Sequence, residues 1–129
     1  METFEKLEVW KLAKVLALEA YRSLKNCRDF SFRDQVHRAA VSIPCNISEG
    51  VERNSQAEFK NFLGVARGSA GELRTQIIIA QELGYLEKET FERLMEASIR
   101  VSQMLGGLIR SIERGSLPGR PKVQSPRPP

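Results

Sequence analysis

Few side chains in this 129-residue sequence are of the kinds that catalysis or metal binding usually needs. There is one histidine, His37, and there are two cysteines, Cys27 and Cys45. Two cysteines without a motif spacing are too few for a disulfide framework or a zinc site. No second histidine or cysteine is placed to work with His37 as a nucleophile and base. We therefore expect a protein that is not an enzyme and that has no catalytic residues, no metal and no cofactor.

Long apolar runs are also absent. No stretch approaches the roughly 20 apolar residues that a helix needs to span a membrane. The first residues, 1–7, carry no signal-peptide pattern. We therefore expect a cytoplasmic protein without a membrane partner.

Aromatic residues make up only 7% of the chain, and leucine, alanine and isoleucine recur at helical spacing. This pattern predicts an all-α fold with helices over about 7–25, 31–50, 55–83 and 87–113. Ser55 and Glu58 form a capping-box pattern that opens the third helix. Ser31, with Asp34 three residues later, is a weaker capping pair for the second helix. Gly84 is the expected C-terminal cap of the third helix.

The second helix contains a proline, Pro44. Proline has no N–H to donate to the carbonyl of Ala40, and its ring crowds that carbonyl, so we expect a kink. Ser42 and Asn46 flank the kink and are candidates to satisfy the freed backbone groups.

The third helix carries glycines at i, i+4 and i+7, namely Gly64, Gly68 and Gly71. Each interior glycine costs a helix up to about 1 kcal/mol relative to alanine. A stripe of this kind favours close packing against another helix over contact with a ligand. The isoleucine run 77–79 is apolar over more than one face, which indicates a second buried surface and hence an oligomer.

Positive charge is concentrated at the end of the chain. Residues 101–129 hold five lysines and arginines against one carboxylate, Glu113, whereas residues 1–100 are balanced. Residues 115–129 are rich in proline and have no apolar periodicity, so we predict a flexible basic tail after a folded domain of residues 1–114. Its candidate phosphate contacts are Arg114, Arg120, Lys122 and Arg127. An ordinary solvated tail is the alternative.

Inside the folded domain, cations recur every seven residues, which places them on nearly one face of the third helix. They are Arg53, Lys60, Arg67 and Arg74. Such a row can contact successive phosphates without choosing a sequence. The alternative is a solvated face with ion pairs, since carboxylates share the region. A buried or interfacial ion-pair network is the preferred role for Arg38, Glu49, Arg53 and Glu72.

Several motifs resemble those of one known family. They are the run 38–44 (RAAVSIP), Asn46, Glu49-Gly50 and the run 66–70 (ARGSA). The chain resembles the bacterial 23S rRNA intervening-sequence proteins over about residues 4–112. The resemblance implies an antiparallel up-and-down four-helix bundle that assembles into a ring-shaped homopentamer, and it implies no enzymatic activity.

That family is also similar in fold to the accessory protein of diversity-generating retroelements, which partners a reverse transcriptase and binds nucleic acid. From the resemblance and the basic residues together, we expect a homo-oligomeric module that binds structured RNA or an RNA–protein complex. The alternative is a protein-facing scaffold, for example for a reverse transcriptase, without direct nucleic-acid contact.

Overall fold

The computed structural model describes residues 3–115, which form four α-helices after a short 3-10 turn, Phe4–Lys6. No strand occurs in this range, so the predicted all-α class is confirmed. The helix bounds differ from the predicted ones by only a few residues. The helices are α1 (Glu8–Ser23), α2 (Phe30–Val51), α3 (Gln56–Glu82) and α4 (Lys88–Glu113).

Each helix packs against two others. α1 contacts α2 and α4, and α3 also contacts α2 and α4, whereas the diagonal pairs make no close backbone contact in the described range. Lys60 near the start of α3 meets Glu113 at the end of α4, so these two helices run antiparallel. This is the arrangement of a four-helix bundle.

Small side chains occupy much of the core. Phe59 is the only fully buried aromatic residue in the described range, and leucine, isoleucine and valine fill most of the remaining volume. Alanine adds only a methyl group to the backbone, so a buried alanine permits neighbouring helices to come close together. The buried alanines are Ala13, Ala17, Ala20, Ala39, Ala40, Ala66, Ala70 and Ala80.

Two of the predicted caps of α3 are present. The Ser55 hydroxyl accepts a hydrogen bond from the Glu58 backbone N–H at 3.0 Å. Gly84 has a φ of 81°, and the next residue, Tyr85, donates its N–H to the Ala80 carbonyl at 2.8 Å. Glycine is favoured there because only glycine adopts a positive φ without strain.

The predicted start of α2 is wrong. Asp29, rather than Ser31, caps this helix, and its carboxylate accepts from the Phe32 N–H at 3.3 Å. The same carboxylate accepts from the Tyr85 hydroxyl at 2.7 Å, and this hydrogen bond raises the pKa of Tyr85. One aspartate therefore caps α2 and holds the α3–α4 connection beside it.

α2 is one continuous helix through Pro44, and a bend at this residue stays a prediction. Asn46 donates to the Ser42 carbonyl at 2.8 Å, not to the Ala40 carbonyl that Pro44 leaves without its helical donor. The Ser42 hydroxyl lies 2.9 Å from the Ser69 hydroxyl and links α2 to α3. These side chains therefore join two helices as well as flanking the proline.

Gly50 lies at a close contact between α2 and α3. A Cβ at this position would lie 2.9 Å from Phe62 Cβ and 3.3 Å from the Phe59 carbonyl oxygen. Both atoms are fixed to the backbone of α3, so they can retreat only if the helix moves.

Gly50→Ala is expected to lower the free energy of unfolding by about 1–3 kcal/mol through overpacking, measured by urea unfolding.

The matched control for this change is Gly107→Ala in α4. A Cβ there would meet only Arg110 Nη2, at 3.9 Å, which is an ordinary contact. The control is expected to gain up to about 1 kcal/mol from helix propensity. Equal unfolding free energies for the two variants would contradict the close approach at Gly50.

The single histidine lies between α1 and α2. Its ring stacks on the Tyr21 ring with centroids 3.8 Å apart, and its Nε2 is buried and finds no hydrogen-bond partner among the described residues. Burial, and then the positive charge of Arg33, lowers the pKa of His37 below its usual 6.5. A hydrogen bond to the Tyr21 backbone and the charge of Asp34 oppose this shift.

This shift makes stability depend on pH. Below about pH 6.5 the unfolded chain binds a proton at His37, whereas the folded chain, in which the pKa of His37 is lower, does not yet do so. Protonation therefore favours the unfolded chain, and the contribution of His37 to stability falls as pH falls toward the folded pKa. The contribution is fully present above about pH 6.5. Urea unfolding at about pH 7.5 and 5.5 is expected to show a smaller loss on acidification for His37→Gln than for the native chain. Equal losses would show that His37 does not carry the effect.

Candidate nucleic-acid interface

Cations from α3 and α4 gather along the line where these helices pack. Lys60 Nζ lies 3.6 Å from Glu113 Oε2, and Arg67 lies two turns further along α3, against α4. Arg74 follows one heptad later on α3. We call this surface the basic face. Contacts place Lys60, Arg67 and Arg110 on it, and position along α3 and α4 alone adds Arg74 and Arg114.

The centre of the basic face lies at Gly106 of α4. The position that a Cβ of residue 106 would take is 3.3 Å from both Cζ and Nη2 of Arg67, and 3.4 Å from Nη1 of Arg110. Gly106 is buried, and these guanidinium groups lie next to it. Arg67 and Arg110 are both exposed residues. Two guanidinium groups of exposed arginines therefore lie beside one glycine.

Ion pairs neutralise little of the positive charge on this surface. Within residues 3–115, the four arginines of the basic face form no ion pair, and Glu113 pairs with Lys60 alone. Two like charges 4 Å apart in bulk water repel by about 1 kcal/mol. This repulsion is small enough for the fold to tolerate, and an anion between the guanidinium groups would remove it.

The predicted row of four cations is wrong at its first member. α3 begins at Gln56, so Arg53 lies in the connection before it. Its guanidinium donates to Glu49 at 2.8 Å and lies 4.9 Å from the centroid of the Phe62 ring. Arg53 is thus directed toward α2 and the start of α3, and no contact joins it to the other three.

The predicted ion-pair network is reduced to one exposed pair. Arg53 and Glu49 pair at 2.8 Å, but their side chains are 44% and 51% exposed. Arg38 and Glu72 line one polar groove between α2 and α3 without an ion pair between them. The buried form of the network is therefore wrong within this single chain, because all of these groups lie on the outer surface. The interfacial form stays a prediction.

The α3 glycines do not pack against another helix of the same chain. A Cβ at Gly64, Gly68 or Gly71 would meet nothing within 4 Å, apart from the helix itself. We call this side of α3 the glycine face. It continues past Thr75 to Ile78 and Ile79, which are 40% and 43% exposed. The predicted close packing against another helix does not occur within the chain, where the stripe lies open, and packing against a helix of another copy stays a prediction.

Sequence reasoning missed Arg110 as a member of the interface. It was counted only among the C-terminal charges, although it stands four residues after Gly106 and three after Gly107. The signal in the sequence that points to Arg110 is the glycine pair 106–107 inside a helix, one turn before this arginine. Three predicted contacts lie outside the described residues: Arg120, Lys122 and Arg127. The separate tail over 115–129 stays a prediction for the same reason.

Other kinds of site find no support in the described range. Among residues 3–115, no group of three or more histidine, cysteine, aspartate or glutamate side chains is placed to hold a metal ion. No helix of this range is long and apolar enough to cross a membrane.

Comparison with known proteins agrees with the resemblance seen in the sequence. The profile of the 23S rRNA-intervening sequence protein family matches residues 5–107. The fold is similar to the crystal structure of a protein of unknown function from the S23 ribosomal protein family of Bacteroides thetaiotaomicron. Sequence identity with that protein is 25%, the TM-score is 0.75, and the match covers 79% of this chain and 98% of the other. No curated protein matches the chain.

Proposed function

The chain belongs to the 23S rRNA-intervening sequence protein family, and from that premise we propose that it is a non-catalytic, homo-oligomeric module of the cytoplasm that binds structured RNA or an RNA–protein complex. The basic face is the observation that carries this proposal. It comprises four arginines and a lysine, and the arginines are not neutralised by ion pairs in the described range.

An RNA backbone is the partner that suits such a surface. Lysine and arginine contacts to phosphates provide affinity without sequence choice, and the release of counterions makes that affinity depend on salt. The surface spans several turns of α3 and α4, which favours an extended polyanion over a single small anion. Arg120, Lys122 and Arg127 would add to the same electrostatic attraction from the end of the chain.

We also propose that copies of the chain associate through the glycine face, in a ring-like assembly that the resemblance suggests is a pentamer. Interior glycines weaken a helix, and here they gain no packing within the chain in return. Close approach of a second backbone would make use of the missing side chains. The exposed Ile78 and Ile79 would extend the contact with apolar area.

A protein-facing scaffold, for example for a reverse transcriptase, is the second candidate. The exposed apolar residues at the end of α3 favour it, since Ile78, Ile79 and Leu83 are 40%, 43% and 52% exposed. Burying side chains of this size contributes about 1.5–3 kcal/mol each to association. This contribution does not depend strongly on salt, which separates the two candidates experimentally.

The first test is a fluorescence-anisotropy titration with structured RNA and with duplex DNA, at about 50 and 200 mM salt. The full chain is expected to bind RNA, and log K is expected to fall with log salt by about 0.7–0.9 per phosphate contacted. Arg67→Glu and Lys60→Glu should each weaken binding by about tenfold. Lys88→Glu, a reversal at the far end of α4, is the control and should have little effect.

A truncated variant that ends at Arg114, used in the same titration, shows which part of the chain contacts RNA. Loss of binding on truncation would assign the affinity to residues 115–129, and retention would assign it to the basic face. Absence of binding at low salt would reject the RNA proposal and leave the scaffold as the candidate. Unfolding of the charge-reversal variants, seen by circular dichroism, would indicate a structural role for these cations.

The second test concerns self-association. Gly68→Leu places a large side chain on the glycine face without an internal clash, because nothing lies within 4 Å of its Cβ. Sedimentation velocity is expected to show a smaller particle for this variant with unchanged helix content. Gln103→Leu, which adds the same side chain to an exposed position of α4, is the control. A monomeric native chain, or an unchanged mass for Gly68→Leu, would overturn the assignment.

A further inference from the structure

We infer that Arg67 and Arg110 form a two-point clamp, seated over Gly106, that holds one phosphate group of an RNA backbone. This inference rests on the proposed RNA-binding function and names the point of contact within the basic face. Arg67 belongs to α3 and Arg110 to α4, so the clamp exists only when the two helices are packed together.

The geometry that supports the clamp is the convergence of two guanidinium groups on one point. Arg67 Cζ and Nη2 lie 3.3 Å, and Arg110 Nη1 lies 3.4 Å, from the place where a Cβ of residue 106 would be. Neither group forms a hydrogen bond or an ion pair within residues 3–115. Their N–H donors are therefore available to the same ligand.

The absence of a side chain at residue 106 is what allows this arrangement. A methyl group there would stand at 3.3–3.4 Å from both guanidinium groups, closer than nine in ten such contacts in proteins. Both guanidinium groups would have to shift by a few tenths of an ångström. Glycine is unfavourable in the interior of α4, and at residue 106 it leaves room for the two arginines in their present positions.

A phosphate suits these donors better than a carboxylate does. Guanidinium groups bind phosphate and carboxylate oxygens through paired N–H donors, and a tetrahedral phosphate presents oxygens to two such groups at once. The carboxylate of Glu113, three residues after Arg110, is paired with Lys60 at 3.6 Å and forms no ion pair with Arg67 or Arg110. Flanking Arg74 and Arg114 extend the positive surface on both sides, which favours a phosphate that belongs to a polyanion.

The sharpest test compares two alanine variants of neighbouring glycines. Gly106→Ala keeps every charge but requires both guanidinium groups to shift by a few tenths of an ångström, whereas the Gly107→Ala methyl makes only an ordinary contact of 3.9 Å with Arg110. Both variants should remain helical, because the atoms that must move at residue 106 are the ends of flexible side chains. Gly106→Ala is expected to weaken RNA binding about fivefold to tenfold, and Gly107→Ala is expected to leave it unchanged.

Arginine variants test whether the two groups hold the same phosphate. Arg67→Ala and Arg110→Ala are each expected to weaken RNA binding about tenfold, and each should lower the salt slope by up to about 0.7–0.9. The double variant should lose less than the product of the single losses, because either change already breaks the two-point contact. Arg100→Ala, an exposed arginine of α4 outside the basic face, is the control.

Three results separate the possible failures. If RNA is bound but Gly106→Ala matches Gly107→Ala, or if the arginine losses multiply, the clamp is overturned and the proposed function stands. If the native chain binds no RNA, both are overturned. Retention of full affinity by Arg67→Lys, which keeps the charge but loses the planar donor pair, would also overturn the clamp.

Discussion

Alanine occupies eight of the 23 buried apolar positions, and such small side chains permit close packing of the helix backbones. Most of the hydrophobic stabilisation then has to come from the larger aliphatic side chains between them, at about 1.5–3 kcal/mol for each one fully buried. The same closeness leaves no room for a methyl group at Gly50, whose Cβ would stand 2.9 Å from Phe62. The distance between packed helices thus limits the size of the side chains at their contacts.

Close packing also shapes the surface that we assign to RNA. Where α3 and α4 meet, Gly106 leaves room for Arg67 of the other helix and for Arg110 beside it. An exposed ion pair, such as that of Lys60 with Glu113, contributes less than about 1 kcal/mol to stability. The cations of this surface are therefore not explained by the stability of the fold, which is why a partner is the better account of their accumulation.

Much of the fold could be predicted from the sequence, because helix spacing and capping residues are local signals. The helices, the Ser55 cap and the Gly84 cap follow from residues within a few positions of one another. The candidate site was predictable only in part. Lys60, Arg67 and Arg74 share a helix face by spacing alone, but Arg53 lies outside the helix, and Arg110 comes from a different element.

The sequence by itself determined the helices, the family and the positions of charge along the chain. Periodicity shows which residues share a helix face, but it does not show what covers that face. Only the tertiary structure decided that the glycines of α3 lie open and that Gly106 lies beside two arginines. The physical reason is that burial and ion pairing depend on neighbours brought together from distant parts of the chain, which local spacing does not encode.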